Sequence, residues 1–503
     1  MNAFINDLLR AAISWTILYL GLLACGLQRL QLLAFSLNQR RLRRKYGITD
    51  DTPVLTYGPE IVQSIRAQAG KDAKFASTSG STGEPKQLLY TKQRLRSVKL
   101  IFSAMFAAAC YAFRLKRTSL YVFSSFEADT SLTSLLLDER ALPHYLSTLQ
   151  APHRLQPHPE IQALVSKYGS SAVRLWILTL SNPGVLYSTN PSTISTFLDE
   201  VARDWQRSSA LIRDWCYAPA SFTPDIHQIA QKLASRGCAK RLKQIANSDV
   251  PVPLSQFAPA VRAYICWTGG YVKPFLDRLA THLPSPQYQL IPMYSMSTET
   301  IETLPYFRDR EAAFLPFALG VVYEFMDDAE NLIDARKLEP GKLYSMIVSD
   351  AYGLRRYQTD DLFLCNAKIH GLPDLSFVRR RTLEYSFTGE KLTAEQLSIV
   401  FEQLRASYPS LLADRFLTCV PSQPPHYKLL LLGNDVLENS HHILAARCDE
   451  LLCEINCEYR SKRASGRLGP VDVVSTNFNE FFVINRTWET QFKFLPLNLS
   501  SFH

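Results

Sequence analysis

The chain has 503 residues, 47% apolar and 20% charged, which excludes disorder and exceeds what one ordinary core accommodates, so two or more domains are expected. The net charge is +9, but residues 1–50 hold seven Lys/Arg against two Asp/Glu, so the body lacks the basic patch that nucleic-acid binding requires. Ten cysteines are scattered along the chain without a sustained framework, which points to reduced thiols in a cytoplasmic setting.

From the N-terminus, 18 uncharged residues, AAISWTILYLGLLACGLQ, lie between Arg10 and Arg29. As a helix they reach ~27 Å, just short of a bilayer core. Arg40, Arg41, Arg43, Arg44 and Lys45 follow. A single span would leave that basic run and everything after it in the cytoplasm. A secretory signal is a poor fit, because the basic cluster follows the apolar run instead of preceding it. Residues 1–45 therefore read as a membrane-spanning helix, an interfacial helix, or an apolar helix packed on the protein's own body.

Residues 77–87 read STSGSTGEPKQ. Gly80 and Gly83 let a backbone approach an anion, Ser79, Ser81 and Thr82 supply hydroxyl donors, and Lys86 supplies a point charge. Apolar AKFA before and LLY after predict a loop between two strands. The spacing is not that of a P-loop, and no Ser or Thr follows Lys86. Taken alone, the segment is either a phosphate cradle or a flexible Ser/Gly loop.

Apolar runs SLYVFSS (119–125), VRLWILTL (173–180) and AYICWTGG (263–270) read as strands alternating with helices such as PSTISTFLDEVARDWQR (191–207). That alternation predicts α/β layers. After about residue 378 the pattern changes to helix (392–408), strand (426–433), helix (441–463) and strand (471–475), a compact α+β module. Arg379, Arg380 and Arg381 stand at the junction. Cys448, Cys453 and Cys457 lack the spacing of a zinc site and read as buried thiols on one helix.

TSGSTGEPK (78–86) resembles the phosphate-binding signature of the adenylate-forming superfamily of acyl-CoA ligases, luciferases and peptide-synthetase adenylation domains. SMSTE (295–299) resembles its aromatic-x-x-Thr-Glu segment and YQTDD (357–361) its Tyr-Arg-Thr-Gly-Asp segment, in the expected order. FVRRRTLEYSFTGEKL (377–392), NCEYRSKRASGRLGP (456–470) and ETQFKFLP (489–496) are similar to the auxin-responsive acyl-acid amido synthetase family within it. So are RLWILTLSNPGVLYSTNPSTI (174–194) and CWTGGYVKPFLDRL (266–279), so the resemblance runs from about residue 50 to the end. It implies an α/β fold: a large N-terminal adenylate-forming domain of layered β-sheets and helices (46–378), then a small mobile α+β C-terminal domain (379–503).

The resemblance implies that a small carboxylic acid is adenylated by ATP with Mg²⁺ and then transferred to the amine of an amino acid. Ser79, Gly80, Ser81, Thr82, Gly83 and Lys86 would hold the phosphates, Thr298 would contact the α-phosphate, and Glu299 would hold the metal. Gly269, Gly270 and Tyr294 would line the adenine, Asp361 would bind the ribose, and Arg380 would reach the ribose or a phosphate. Lys391, ahead of Lys493, is the candidate for a lysine that meets the α-phosphate. The sequence departs from the superfamily pattern at Ser295, Gln358 and Asp360. Two other readings stay open: a ligase that forms a coenzyme A thioester, and a divergent nucleotide-binding protein without catalysis.

Overall fold

The computed structural model describes residues 2–68, 74–77, 87–124, 126, 148–155, 157–189, 191–269, 273–293, 297, 299–380, 384–385, 390, 392–408, 415–420, 424–432, 440–476 and 497–498. The N-terminal apolar run is one long helix, α1 (Asn2–Leu33). Ala34 separates it from α2 (Phe35–Tyr46), which closes on Gly47 in the left-handed region. Helix α3 (Pro59–Ala67) precedes a hairpin, β1 (Lys74–Ser77) and β2 (Gln87–Tyr90), and α4 (Lys92–Ala112) follows at once. Helix α1 lies against α4 so closely that a Cβ at Gly21 would come within 2.1 Å of the Ala107 carbonyl oxygen.

Two sheets build the body. Strands β3 (Leu120–Val122), β4 (Val185–Tyr187), β5 (Ala263–Cys266) and β6 (Gln289–Pro292) pair in that order, all parallel. Their connections carry α5 (Pro159–Tyr168), α6 (Ser170–Ser181), α7 (Pro191–Arg203), α8 (Pro224–Leu233) and α9 (Lys273–His282). The hairpin β7 (Leu304–Arg308) and β8 (Glu311–Leu315) leads to an antiparallel sheet. That sheet consists of β9 (Val322–Met326), β10 (Leu332–Asp334), β11 (Leu343–Ser349), β12 (Tyr357–Ile369) and β13 (Leu372–Arg380), ordered β10-β9-β11-β12-β13.

The run VRLWILTL is helical, contrary to the strand expected from its apolarity. It forms the middle of α6, where every residue from Ser171 to Ser181 is buried. A helix enclosed on all sides shows no 3.6-residue period, so its sequence cannot be told from a buried strand. The helix expected over 191–207 breaks at Asp204, and a short turn of helix follows at Trp205–Ser208.

The short pair β14 (Glu384–Tyr385) and β15 (Leu392–Thr393) leads into α10 (Ala394–Ser407), which opens with a capping box between Thr393 and Gln396. A sheet ordered β18-β17-β16-β19 follows, of β16 (Arg415–Val420), β17 (His426–Leu432), β18 (Asp472–Thr476) and β19 (Leu497–Asn498). The single helix expected over 441–463 is two, α11 (His441–Ile455) and α12 (Cys457–Ala464). Asn456 leaves the helical region between them, and its side chain accepts the Tyr459 N–H to cap α12. The three cysteines are thus divided: Cys448 is buried in α11, Cys453 is partly covered, and Cys457 is exposed at the start of α12. No cluster of potential metal ligands occurs among the described residues. One apolar core in this part joins residues between Leu392 and Val473, apart from the two larger cores of the body.

Candidate active site

Strands β5 and β6 are parallel neighbours, so their carboxyl ends open on the same edge of the sheet, the usual place for ligands in α/β folds. Gly269 lies just past β5 and Glu299 past β6. A Cβ at Gly269 would sit 3.0 Å from Trp267 Nε1 and 3.3 Å from the Phe377 carbonyl oxygen. The segment therefore runs against the backbone of β13, and the Trp267 and Phe377 rings pack at 5.4 Å. On that strand Arg380 pairs in register with Asp361 of β12, whose side chain is buried. Gly269, Asp361 and the backbone of Arg380 are thereby joined through a single strand.

Glu299 is drawn in from the other side. Its side chain is 1% exposed, and its carbonyl accepts from Arg94 of α4 at 2.6 Å. Arg94 also donates to the Leu89 carbonyl of β2 at 2.7 Å and lies 3.6 Å from the Asp350 carboxylate. Its guanidinium is 4.3 Å from the Tyr90 ring centre and 4.8 Å from that of Tyr352. Burial pushes the Asp350 carboxyl up, against the pull of Arg94. The Tyr90 hydroxyl is pushed up to about 12, chiefly by burial, with Glu299 and Asp350 adding to the shift. Arg94 therefore fixes the strand leaving the Ser/Gly segment to the segment carrying Glu299.

Strands β1 and β2 pair from Lys74 with Tyr90 to Ser77 with Gln87, so the Ser/Gly segment does join two strands. The Tyr57 hydroxyl accepts the Gln87 N–H at 2.8 Å at its base. Ser79, Gly80, Ser81, Thr82, Gly83, Lys86, Gly270, Tyr294, Thr298, Lys391 and Lys493 lie outside the described residues. Gln358, at an altered motif position, points into the sheet and donates to Ser345 Oγ at 3.0 Å. Neither Arg94 nor Asp350 carried a signal in the sequence; an arginine in an amphipathic helix reads as a solvated charge.

A carboxylate oxygen is the hard donor that Mg²⁺ prefers, and this ion keeps water and phosphate for its remaining positions, so Glu299 suits it as a single protein ligand.

The GH3 family central domain matches residues 314–380, the β8–β13 region. The indole-3-acetic acid-amido synthetase GH3.4 of Arabidopsis thaliana is 23% identical over 285 residues, 49% of this chain and 47% of that protein. The corresponding GH3.8 enzyme of Oryza sativa subsp. indica is 27% identical over 155 residues, 29% of this chain and 26% of its own. The chain thus spans about half or less of the length of these relatives. Among solved structures, the GH3.15 acyl acid amido synthetase superposes with a TM-score of 0.71 at 16% identity, covering 95% of this chain and 94% of that one. Residues 314–380 accordingly match the GH3 family central domain, in a chain that shares the α/β fold of the GH3.15 acyl acid amido synthetase.

Proposed function

We propose that the protein is an ATP-dependent acid–amino acid ligase. It joins a small carboxylic acid to AMP with release of pyrophosphate, then passes the acyl group to the amine of an amino acid to form an amide. A carboxylate is a poor acyl donor because oxide is a poor leaving group, and AMP replaces it with a stable phosphate monoester. The protein's task is to hold two anions in contact and to stabilise charge departing on pyrophosphate.

In this reading Ser79, Gly80, Ser81, Thr82, Gly83 and Lys86 hold the phosphates, and Thr298 meets the α-phosphate. Gly269, Gly270 and Tyr294 line the adenine, Asp361 accepts from the ribose hydroxyls, and Arg380 reaches the ribose or a phosphate. Lys391, with Lys493 second, brings a positive charge to the α-phosphate. Glu299 would hold Mg²⁺, which would supply positive charge to offset that of the phosphates. The body (46–378) and the C-terminal module (379–503) rotate between the two half-reactions. The protein works in the cytoplasm and touches a membrane through residues 1–45.

The observation that supports this reading best is the convergence on one sheet edge. Gly269 and Glu299 follow adjacent parallel strands, and Arg94 ties the strand after the Ser/Gly segment to Glu299. The deciding experiment measures AMP and pyrophosphate release by the full chain over a panel of carboxylic acids, with and without pooled amino acids. AMP should depend on the acid and vanish in Glu299→Gln, and mass spectrometry should find an amide. A thioester formed only with coenzyme A would replace the acceptor. Absence of ATP binding would leave a non-catalytic protein.

A further inference from the structure

We infer that the outer flank of α1 and an arginine-lined cavity beside it form a docking surface for a bilayer containing anionic phospholipid, with α1 lying in the membrane plane. This rests on the membrane contact proposed for residues 1–45 and is independent of the ligase chemistry.

Helix α1 is amphipathic in the inverted sense. The side facing the protein carries much of its polarity. Asn6 donates to the Gln231, Lys232 and Ala234 carbonyls at 2.9–3.3 Å, and Arg10 donates to the Leu233 carbonyl at 2.5 Å. These two side chains satisfy the open C-terminal carbonyls of α8. Ser14 accepts the Thr118 N–H, and Gln28 donates to the Pro305 carbonyl at 2.9 Å. The opposite side presents Leu8, Trp15, Tyr19, Leu22, Leu30 and Leu33, spaced by three, four or about two turns, with Trp15 75% and Leu33 77% exposed. In water this arrangement leaves the apolar face without a partner. The polar ties extend over most of the helix, so α1 cannot cross a bilayer without breaking them.

Charge points to the occupant. Ala34 keeps helical hydrogen bonds to Leu30 and from Asn38, so the same flank runs from Leu33 through Leu37 to Arg40 and Arg44 at steps of four, three and four. Beside α1 is a cavity of about 780 Å³ lined by Arg29, Arg114, Arg308, Arg310 and His370, with Asp309 as the acidic member. Arg114, Asp309, Arg310 and His370 all have left-handed backbone, with φ of 54°, 50°, 67° and 51°. Asp309 and Arg310 form the two-residue turn between β7 and β8, where glycine is the unstrained choice at the second position, yet arginine stands there. Guanidinium groups match phosphate in geometry as well as charge, and Trp and Tyr favour the interfacial depth that an in-plane helix occupies.

The test is co-sedimentation of the full chain with vesicles of phosphatidylcholine alone and with added phosphatidylglycerol. The native protein should pellet with the anionic vesicles and lose about tenfold or more in affinity in Trp15→Glu/Leu30→Glu and in Arg29→Glu/Arg310→Glu. Glycerol phosphate should compete if the cavity takes the headgroup. A fluorescent amino acid installed singly at Leu8, Trp15 and Leu30 should report equal shallow depths. A maximum at mid-helix would mean that α1 spans, leaving membrane contact intact and overturning the in-plane geometry. Failure to bind any vesicle, binding indifferent to these variants, or a dimer abolished by Trp15→Glu would overturn the proposal, the last in favour of a second copy on this flank.

Discussion

Arg94 gives its guanidinium to the Leu89 and Glu299 carbonyls and lies 3.6 Å from the Asp350 carboxylate, all in the interior. Arg94→Leu leaves that buried carboxylate without its cation, held by the Tyr352 and Leu354 N–H groups, and two carbonyls without this donor, and should cost on the order of 3–5 kcal/mol. A denaturant titration of the variant checks this, and adenylation should fall with it because the Glu299 segment loses its tie. A second buried group predicts a pH effect. His153 is 2% exposed and accepts the Val122 N–H at Nδ1, and its pKa is lowered to about 3, chiefly by burial. The unfolded chain takes up this proton near pH 6.5, whereas the folded one does so only near 3. Its contribution to stability is therefore complete above pH 6.5 and is lost between 6.5 and 3, at up to about 1.4 kcal/mol per pH unit. Unfolding titrations at pH 7 and pH 5 should differ by less in His153→Gln than in the native protein. The motif segments stood out in the sequence as candidates because phosphate and ribose binding would demand particular residue types in order. Arg94 and His153 were not, because their roles come from partners distant in sequence.

The break at Asn456 shows what a single polar side chain does for neighbouring elements. Its Oδ1 caps α12, while its Nδ2 donates to the Glu390 carbonyl at 2.8 Å and to Gln396 Oε1 at 3.0 Å, at the start of α10. The Tyr427 hydroxyl of β17 bonds the Glu390 carboxylate, so residue 390 is clamped from two sides. Lys391 is next in sequence. Asn456→Ala should lose about 1–3 kcal/mol from the cap and the stranded Glu390 carbonyl. It should also lower adenylation more than transfer from a preformed adenylate, and single-turnover measurements of the two steps separate these effects. At this scale the sequence was readable where one face of an element met solvent, as in α10. It misled at α6, enclosed on every side, and at Asn456, whose capping role is indistinguishable from an ordinary helical polar residue until its neighbours are known.

The change in element pattern near residue 378 was legible in the sequence, and a separate core lies between Leu392 and Val473, since each core needs its own amphipathic set. How that part meets the body was not, because the contact joins residues far apart in sequence. Arg405 of α10 pairs with Asp277 of α9 at 2.6 Å. Asp277 is 42% exposed on its side chain, so the pair contributes no more than about 1 kcal/mol to stability. A weak, solvent-facing tie of this kind suits a contact that must be broken and remade. If the C-terminal module rotates between half-reactions, the pair belongs to one arrangement alone. Arg405→Ala should then leave thermal stability nearly unchanged and move the two half-reactions in opposite directions, slowing the one that uses this arrangement and speeding the other. Pyrophosphate exchange reads the first step and amide formation from preformed adenylate reads the second. Parallel changes in both, or none in either, would mean that rotation does not pass through this contact.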